Sequence, residues 1–188
     1  MNTQDHSSLH ESAPRSGVCV SLLAILVIAL AAGVTPSRGQ SPANQIADPG
    51  AIMAREGSHI SHIDFVGSPF VCYYNASSGD LIYAHNITAE GTGGWTQETV
   101  DSVGDVGQFC SMALIGSDVC ISYYDQTNGN LKFARKDFES GTWARTVVNS
   151  TGDVGLYTSL AVVGGKPAIS YYDATNGNLK YARNSAFD

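Results

Sequence analysis

Two stretches of this sequence are nearly identical: ISYYDQTNGNLKFAR at residues 121–135 and ISYYDATNGNLKYAR at residues 169–183. A more divergent copy, VCYYNASSGDLIYAH, occupies residues 71–85. Trp95 and Trp143 recur with the same spacing of 48 residues as the first two stretches. This regular recurrence indicates that the chain is built from repeats of one structural unit of about 48 residues.

Each unit contains four segments of strand length. They are short, rich in β-branched and aromatic residues, and bounded by Gly, Asn, Asp or Ser, as is typical of strands joined by hairpins. In the middle copy the segments are 110–115, 119–125, 131–135 and 143–148. Asn128-Gly129 predicts a tight turn between the second and third segments, because glycine readily adopts a positive φ. The pattern therefore predicts an all-β protein in which each repeat is a four-stranded antiparallel meander.

A four-stranded unit of about 48 residues has the size of a propeller blade. The strands carry apolar or aromatic residues on both faces, which stacked blades need because both of their faces are covered. We therefore predict a partial β-propeller of about three blades, with a β-sandwich or β-solenoid as the alternative. The blades are expected at about 57–100, 107–148 and 155–183, the last of them incomplete.

The unit resembles the repeats of sialidase-like (neuraminidase-type) β-propellers. In those repeats an Asp-box hairpin, roughly Ser-x-Asp-x-Gly-x-Thr-Trp, lies between the third and fourth strands. Asp137-Phe-Glu-Ser-Gly141-Thr142-Trp143 falls in the corresponding connection, and Gly93-Gly94-Trp95 keeps part of the motif one repeat earlier. The resemblance covers about residues 57–183 and implies a fold more than an activity.

A sialidase-type enzyme would need an arginine cluster for the substrate carboxylate, a tyrosine nucleophile with a glutamate partner, and an aspartic acid. Arg135 and Arg183 occupy equivalent positions in successive repeats, which indicates a structural role. We therefore expect no catalytic residues, and a sialidase-like glycoside hydrolase ranks third among the functions considered.

Carbohydrate is the favoured ligand. Lectin propellers combine an aromatic platform, on which the C–H faces of a sugar pack, with polar groups that bind its hydroxyls. The candidate ligand-binding residues are Arg135, Glu139, Trp143, Trp95, Tyr124 and Tyr172. In the alternative, the tyrosines and tryptophans form the core between blades of a structural or protein-interaction repeat. Local function is expected in the loops 86–94 and 136–142, where the copies differ.

No cofactor and no metal ion is expected. His59 and His62 are three residues apart, which on a regular strand places them on opposite faces. Asp125 and Asn128 resemble the start of a calcium loop, but no glutamate closes it, so a hairpin turn is favoured. The repeated Gly-Asp-Val-Gly at 104–107 predicts a turn between blades, in which the aspartate caps backbone N–H groups.

Residues 1–40 contain the uncharged apolar run 17–34, which is either a cleaved signal peptide or a retained signal anchor. A linker at 41–56 then leads to a repeat domain at 57–188. That domain is expected outside the cell, secreted or anchored, with membrane contact only through the N-terminal segment.

The net charge of −7 argues against nucleic acid as a partner. Glycosylation motifs begin at Asn75, Asn86 and Asn149.

Closed propellers have about four to eight blades, so three blades are too few. The chain is accordingly a piece of a longer propeller, an open array, or a homo-oligomer whose copies complete a ring.

The repeats hold an odd number of cysteines: Cys72, Cys110 and Cys120. Small buried core residues are the main expectation for them, and a Cys72–Cys120 bridge between blades or an intermolecular bond is the alternative.

Overall fold

The structure is a computed structural model that describes residues 56–88 and 94–183. These residues form three antiparallel sheets and no helix. The first sheet contains β1 (Glu56–Phe65), β2 (Ser68–Asn75), β3 (Asp80–His85) and β4 (Thr96–Asp101). The second contains β5 (Val106–Ile115), β6 (Asp118–Asp125), β7 (Asn130–Lys136) and β8 (Trp143–Asn149). The third contains β9 (Val154–Val163), β10 (Lys166–Asp173) and β11 (Asn178–Ala182).

Every sheet is a meander in which the strands lie side by side in chain order. The predicted all-β architecture of four-stranded antiparallel blades is therefore confirmed. Within the described ranges no helix is long and apolar enough to cross a membrane. The predicted signal segment and the linker up to residue 55 lie outside those ranges, as do residues 89–93 of one predicted functional loop.

The β6–β7 hairpin forms as the sequence predicts. Asp125 Oδ1 accepts a hydrogen bond from the backbone N–H of Asn128 at 3.0 Å, and Gly129 turns the chain with φ of 67°. Asp173 and Asn176 repeat this contact at 3.0 Å in the third blade. The side chain thus supplies an acceptor that the turn backbone needs, and the hairpin follows from local chemistry.

The first strand of each blade begins earlier than the sequence pattern indicates. β5 starts at Val106, whereas the pattern predicted Cys110. The cause is a β-bulge, since the pairing of β5 with β6 shifts between Gln108 and Ser111. A bulge inserts an unpaired residue, so the alternation of inward and outward side chains that identifies a strand is interrupted there.

The first strands are the innermost elements of the blades. β5 lies against β1 and β9, and each blade extends outward from these strands. Ser61 Oγ accepts a hydrogen bond from the backbone N–H of Met112 at 3.0 Å. Ser111 Oγ accepts the equivalent bond from Leu160 at 2.9 Å. The same serine position therefore joins consecutive inner strands.

The hydrophobic core is divided into layers between neighbouring blades. One cluster, with Leu81 and Ile121, fills the space between the first and second blades. Another, with Leu131 and Ile169, fills the space between the second and third. All four side chains are fully buried. Burial on both sides of the second blade explains why its strands are apolar on both faces.

All three cysteines of the described repeats are buried free thiols, which agrees with the expectation of small core residues. Cys72 and Cys110 are neighbours across the first blade boundary, and burial followed by this contact raises the pKa of Cys72 well above its usual value. Cys120 belongs to the other core layer. The structure therefore pairs Cys72 with Cys110 in space, in place of the suggested Cys72–Cys120 bridge.

Candidate functional site

The paired tyrosines of the repeat connect blades. The first tyrosine of the middle pair, Tyr123, donates a hydrogen bond to Asp101 Oδ2 of the preceding blade at 2.7 Å. The second, Tyr124, donates to Asp153 Oδ1 at the start of the following blade, also at 2.7 Å. Because consecutive strand residues point to opposite faces, one Tyr-Tyr pair reaches both neighbours.

The other copies repeat this arrangement. Tyr74 donates to Asp105 Oδ1 at 2.8 Å, and Asn149 Nδ2 donates to the hydroxyl of Tyr171 at 2.8 Å. Tyr172, whose partner would belong to a following blade, is 38% exposed. The recurrence of the Tyr-Tyr-Asp motif is therefore explained by blade packing.

The Gly-Asp-Val-Gly segment is the blade-to-blade connection that the sequence predicts, but its aspartate has a different role. The carboxylate of Asp105 accepts from the Tyr74 hydroxyl, in place of the predicted capping of backbone N–H groups. The second glycine allows close packing, because a Cβ on Gly107 would lie 2.8 Å from the Cα of Leu81. Gly155 stands in the same relation to Leu131, at 2.7 Å.

The candidate residues around the β7–β8 hairpin have separate partners. Arg135 Nε pairs with Asp118 Oδ2 at 2.8 Å within the second blade. Glu139 is exposed in the loop, and its backbone N–H donates to Asp137 Oδ1 at 2.8 Å. Asp137 thus caps the turn that was compared with an Asp box.

Trp143 turns toward the first blade. Its indole N–H donates to Glu98 Oε2 at 3.0 Å, and the ring of Tyr83 packs against it with centroids 5.4 Å apart. Lys136 pairs with the same glutamate. Burial would raise the pKa of Glu98, but the hydrogen bonds from Lys136 and Trp143 outweigh it and lower this pKa. This cluster is a charged contact between two blades.

The remaining candidates lie elsewhere. Trp95 packs against Tyr73, Ile82 and Ala84 on the first blade. Tyr124 lies between the second and third blades, and Tyr172 lies on the third. The structure therefore distributes the six sequence-predicted ligand residues over three blades, and their role in binding stays a prediction.

A different set of aromatic side chains lies together on the inner strands. His59, Phe109 and Tyr157 occupy the same position in β1, β5 and β9, and we call them the aromatic ladder. The ring centroids of His59 and Phe109 are 4.4 Å apart, and those of Phe109 and Tyr157 are 4.5 Å apart. His59 and Tyr157 are exposed, and Phe109 is half-buried between them.

The three ladder residues share an unfavourable backbone conformation. Their φ angles are 51°, 52° and 54°, in the left-handed region that favours glycine. For a residue with a Cβ this conformation costs about 1 to 2 kcal/mol. In each inner strand the residue lies where the pairing with the next strand shifts, so the β-bulge of β5 has counterparts in β1 and β9. Strained residues of this kind are concentrated at functional sites.

Polar groups surround the ladder. The side-chain amides of Gln108 and Gln126 are hydrogen-bonded to each other beside Phe109. The rings of Tyr74 and Tyr124 lie 6.1 and 6.2 Å from the rings of His59 and Phe109. The Tyr74 hydroxyl also holds the half-buried carboxylate of Asp105. Amide, phenol and carboxylate groups thus lie close to this row of rings.

Burial shifts the pKa of one ladder residue and of two tyrosines beside the ladder. Burial lowers the pKa of His59, so its imidazole is neutral at pH 7. Burial and the contact with Asp153 raise the pKa of Tyr124 to about 12. Burial and Asp105 raise the pKa of Tyr74 in the same way. Both phenols therefore stay protonated hydrogen-bond donors beside the ladder.

The ladder was not predicted from the sequence. The signal is nevertheless present, because an aromatic residue follows each glycine of the inner strand by two positions, at Gly57-Ser-His59, Gly107-Gln-Phe109 and Gly155-Leu-Tyr157. His59 was considered only together with His62, and the bulge beside it changes the strand alternation on which that argument rested. Within the described ranges no three His, Cys, Asp or Glu side chains are arranged to hold a metal ion.

The three glycosylation candidates differ in accessibility. Asn86 is 1% exposed, and its side chain accepts hydrogen bonds from the N–H and hydroxyl of Thr88. A glycan there would require the side chain to leave this position. Asn149 and Asn75 are both half-buried: Nδ2 of Asn149 donates to Tyr171, and Oδ1 of Asn75 accepts from the backbone N–H groups of Ser77 and Ser78. Asn86 is thus the most deeply buried of the three.

Comparisons with known proteins identify the class of fold. No protein-family model and no curated protein matches the chain. Among solved structures, an exo-β-1,3-galactanase from Phanerochaete chrysosporium, determined with β-1,3-galactotriose, matches with a TM-score of 0.51 and 9% identity, over 71% of this chain and 36% of that one. An α-L-arabinofuranosidase from Lactobacillus brevis matches with a TM-score of 0.47 and 11% identity, over 69% of this chain and 49% of that one.

These neighbours are glycoside hydrolases with a five-bladed β-propeller fold. The chain spans between about a third and a half of their length. At this identity the likeness concerns the fold alone, and it places the chain among partial β-propellers. The resemblance to sialidase-like repeats is confirmed at the level of a propeller-type fold and not for that family in particular.

Proposed function

We propose that this chain is a non-enzymatic, propeller-type module that binds carbohydrate, and that the aromatic ladder is its sugar platform. The observation that carries the proposal is the strained aromatic residue at one position of all three inner strands, exposed in β1 and β9 and half-buried in β5. Packing alone would favour glycine or asparagine at a positive φ. A ring kept at this position in every blade is accounted for by a ligand that contacts it.

The chemistry around the ladder suits a sugar. The C–H faces of a pyranose pack on uncharged rings, and its hydroxyls need both donors and acceptors nearby. The rings of Tyr157 and Phe109 provide the apolar surface. The amides of Gln108 and Gln126 provide a donor and an acceptor in the same side chain.

Catalysis is not supported by the carboxylates beside the ladder. Most glycoside hydrolases use two carboxyl groups that flank the scissile bond. Asp105 and Asp153 each accept a hydrogen bond from a tyrosine of the preceding blade, which assigns them to blade packing. The proposal therefore keeps binding separate from hydrolysis.

A glycan array tests this function. The full chain is purified in a mild detergent because of its apolar N-terminal run, and β-1,3-linked galactosides are included because the galactanase above was crystallised with one. Binding to at least one glycan is expected. Absence of binding across the array would contradict the proposal.

Two variants locate the site. Tyr157→Asn removes an exposed ladder ring and is expected to weaken binding at least about tenfold, which corresponds to ~1.4 kcal/mol. Phe138→Asn is the matched control, because Phe138 is exposed in the β7–β8 loop that the sequence favoured. If the Phe138 variant lost binding and the Tyr157 variant kept it, the ligand would bind at the β7–β8 loop and not at the ladder.

A sialidase-like hydrolase is tested with a fluorogenic sialoside. No product release is expected from the full chain. If the full chain released product and Arg135→Ala abolished that release, the protein would be an enzyme, and the proposed binding function would be wrong.

A further inference from the structure

We infer that Cys72 and Cys110 form a disulfide bond between the first and second blades, and that a low-molecular-weight disulfide oxidises them while the chain folds. Such a bond is independent of any ligand of the aromatic ladder. Three features of the described repeats support it: the position of the two thiols, the pair of side chains at the same position of the next blade boundary, and the burial of both sulfurs.

The two thiols lie at one point of the boundary between the first and second blades. Cys72 pairs with Ser61 in the register of β1 and β2, and the backbone of Ser61 is hydrogen-bonded to its sulfur. Cys110 Sγ contacts the carbonyl oxygen of His59, two residues earlier in β1. The Cys72 thiol is also hydrogen-bonded to the side chain of Cys110. The two sulfurs are therefore direct neighbours within one core layer.

The next blade boundary shows how close side chains at these positions come. Ser122 and Thr158 occupy the positions of Cys72 and Cys110 one repeat later. Their hydroxyl oxygens are hydrogen-bonded at 2.7 Å, and both residues are buried. A disulfide needs two sulfurs that can approach to about 2 Å from Cβ atoms about 4 Å apart. The repeat thus brings the two side-chain ends within reach of each other.

The surroundings of the two pairs are also equivalent. Thr158 Oγ1 donates a hydrogen bond to the carbonyl oxygen of Phe109 at 2.8 Å. Cys110 Sγ donates in the same way to the carbonyl oxygen of His59, the residue that matches Phe109 in the preceding inner strand. Each contact orients its side chain toward the partner on the preceding blade. A pair of cysteines therefore replaces a polar pair in an unchanged geometry.

The bond forms by thiol–disulfide exchange. One cysteine thiolate attacks a sulfur of the small disulfide, which gives a mixed disulfide and releases one small thiol. The second cysteine sulfur then attacks the protein sulfur of the mixed disulfide and releases the second small thiol. The chain loses two protons and two electrons in all, and the S–S bond of the oxidant takes them up as two thiols.

Burial requires this exchange to precede the closing of the blades. Cys72 is 0% exposed and Cys110 is 7% exposed. Burial, followed by the contact with Cys110, raises the pKa of Cys72 well above its usual value. The folded chain therefore holds little of the thiolate that attacks a disulfide. In the unfolded chain both sulfurs are open to the oxidant, and the completed bond is afterwards shielded from reductants.

Cys120 is the internal comparison. It is 0% exposed, as Cys72 is, and burial raises its pKa to about 12. Its sulfur contacts the carbonyl oxygen of Asp118 in the same strand at 3.8 Å. The core layer that contains Cys120 holds no second cysteine among the described residues. We therefore expect Cys120 to remain a thiol under conditions that oxidise the other two.

Peptide mapping of the refolded full chain tests the bond. The chain is reduced in urea and refolded in mild detergent with a mixture of reduced and oxidised glutathione. Free thiols are then alkylated in denaturant, and the chain is cut after its acidic residues, which leaves Cys72, Cys110 and Cys120 in separate peptides. Mass spectrometry is expected to find the first two peptides linked and the Cys120 peptide alkylated.

The order of addition tests when the bond is made. The chain is first folded with a reductant, which is then removed, and oxidised glutathione is added to the folded protein. The bond is expected to form at least about tenfold more slowly than during refolding, because the folded core excludes the oxidant. The linked peptides are counted at a series of times in both experiments.

The double variant Cys72→Ser/Cys110→Thr is the matched control, because it gives the first boundary the polar pair of the second. The bond closes a loop of about 40 residues, so it is expected to raise the midpoint of thermal unfolding of the natural chain by about 10 °C over the reduced chain. The double variant should have the same midpoint with and without oxidant. Circular dichroism checks that it is folded.

Four outcomes would overturn the inference. Cys72 and Cys110 could both be alkylated after refolding with the oxidant, or either could be linked to a different cysteine. The bond could form equally fast in the folded chain, which would contradict its formation before the blades close. Finally, an equal rise of the midpoint in the double variant would assign the effect of the oxidant to other cysteines.

Discussion

The hydroxyl of Tyr123 donates a hydrogen bond to Oδ2 of Asp101 at 2.7 Å, and this bond crosses a blade boundary in a fully buried setting. Lys132 pairs with the same carboxylate. The corresponding bond at the next boundary joins Tyr171 to a neutral partner, Asn149. One repeat position thus provides a charged connection at one boundary and a neutral one at the other.

Removal of these hydroxyls should therefore have unequal effects. Hydrogen bonds to charged groups contribute about 1.5 to 3 kcal/mol, and neutral ones about 0.5 to 1.5 kcal/mol. We expect Tyr123→Phe to lower the free energy of unfolding by about 2 kcal/mol and Tyr171→Phe by about 1 kcal/mol. Urea denaturation of the two variants measures the difference. A larger loss in Tyr171→Phe would show that the charge on Asp101 is not what strengthens the contact.

The second glycine of the inner strand is predicted to be irreplaceable. Gly107→Ala places a Cβ 2.8 Å from the backbone of Leu81, in addition to the strain of a φ of 108°. Gly116 also has a positive φ, of 64°, but a Cβ there would meet open space, so Gly116→Ala separates the two effects. We expect a loss of about 1 to 2 kcal/mol for Gly116→Ala from backbone strain alone. The loss for Gly107→Ala should be clearly larger, and equal losses in thermal unfolding would refute the close approach of the blades.

The strain at the ladder predicts an opposition between stability and binding. Asparagine tolerates the left-handed region better than tyrosine does, and Tyr157 is 66% exposed. Tyr157→Asn is therefore expected to raise the free energy of unfolding by about 1 kcal/mol while it weakens glycan binding. Denaturation and binding are measured on the same preparation. A variant that loses stability and keeps binding would remove the functional explanation of the strain.

Acid should weaken the third blade through Asp173. The ammonium of Lys180 and the amide of Asn176 lower the pKa of this carboxyl from 3.8 to about 2. Since the folded pKa lies below the unfolded one, the carboxylate stabilises the fold above about pH 4, and this contribution is lost as the pH falls toward 2. The free energy of unfolding should fall across that window. Asp173→Asn should reduce the slope, and an undiminished slope in that variant would assign the acid sensitivity to other groups.

The sequence predicted the features that depend on the repeat period and on residues close together in the chain. The Asp125-to-Asn130 hairpin follows from turn chemistry within a few residues, and the 48-residue period follows from near-identical copies such as 121–135 and 169–183. The sequence did not predict the strand start at Val106, because the bulge interrupts the alternation there. It also did not predict the contact between Tyr124 and Asp153, which are distant in the chain and close only after the blades stack.

The aromatic ladder was also not predicted, because its residues are distant in the chain. His59, Phe109 and Tyr157 are about 50 residues apart, and only blade stacking brings their rings within 4.5 Å. Their φ angles cannot be read from residue type, since positive φ is uncommon for any residue other than glycine, and phenylalanine and tyrosine adopt it less often than histidine does. The exposure of Leu179 could not be predicted either, because Leu179 has the same local sequence as the buried Leu131.

The measurement that tests the central claim most directly is chemical-shift mapping of the full chain with the tightest ligand from the glycan array. We predict that the largest changes occur at His59, Phe109 and Tyr157 and at the neighbouring Gln108 and Gln126. Changes confined to the loops 86–94 and 136–142, with the ladder signals unmoved, would contradict the account.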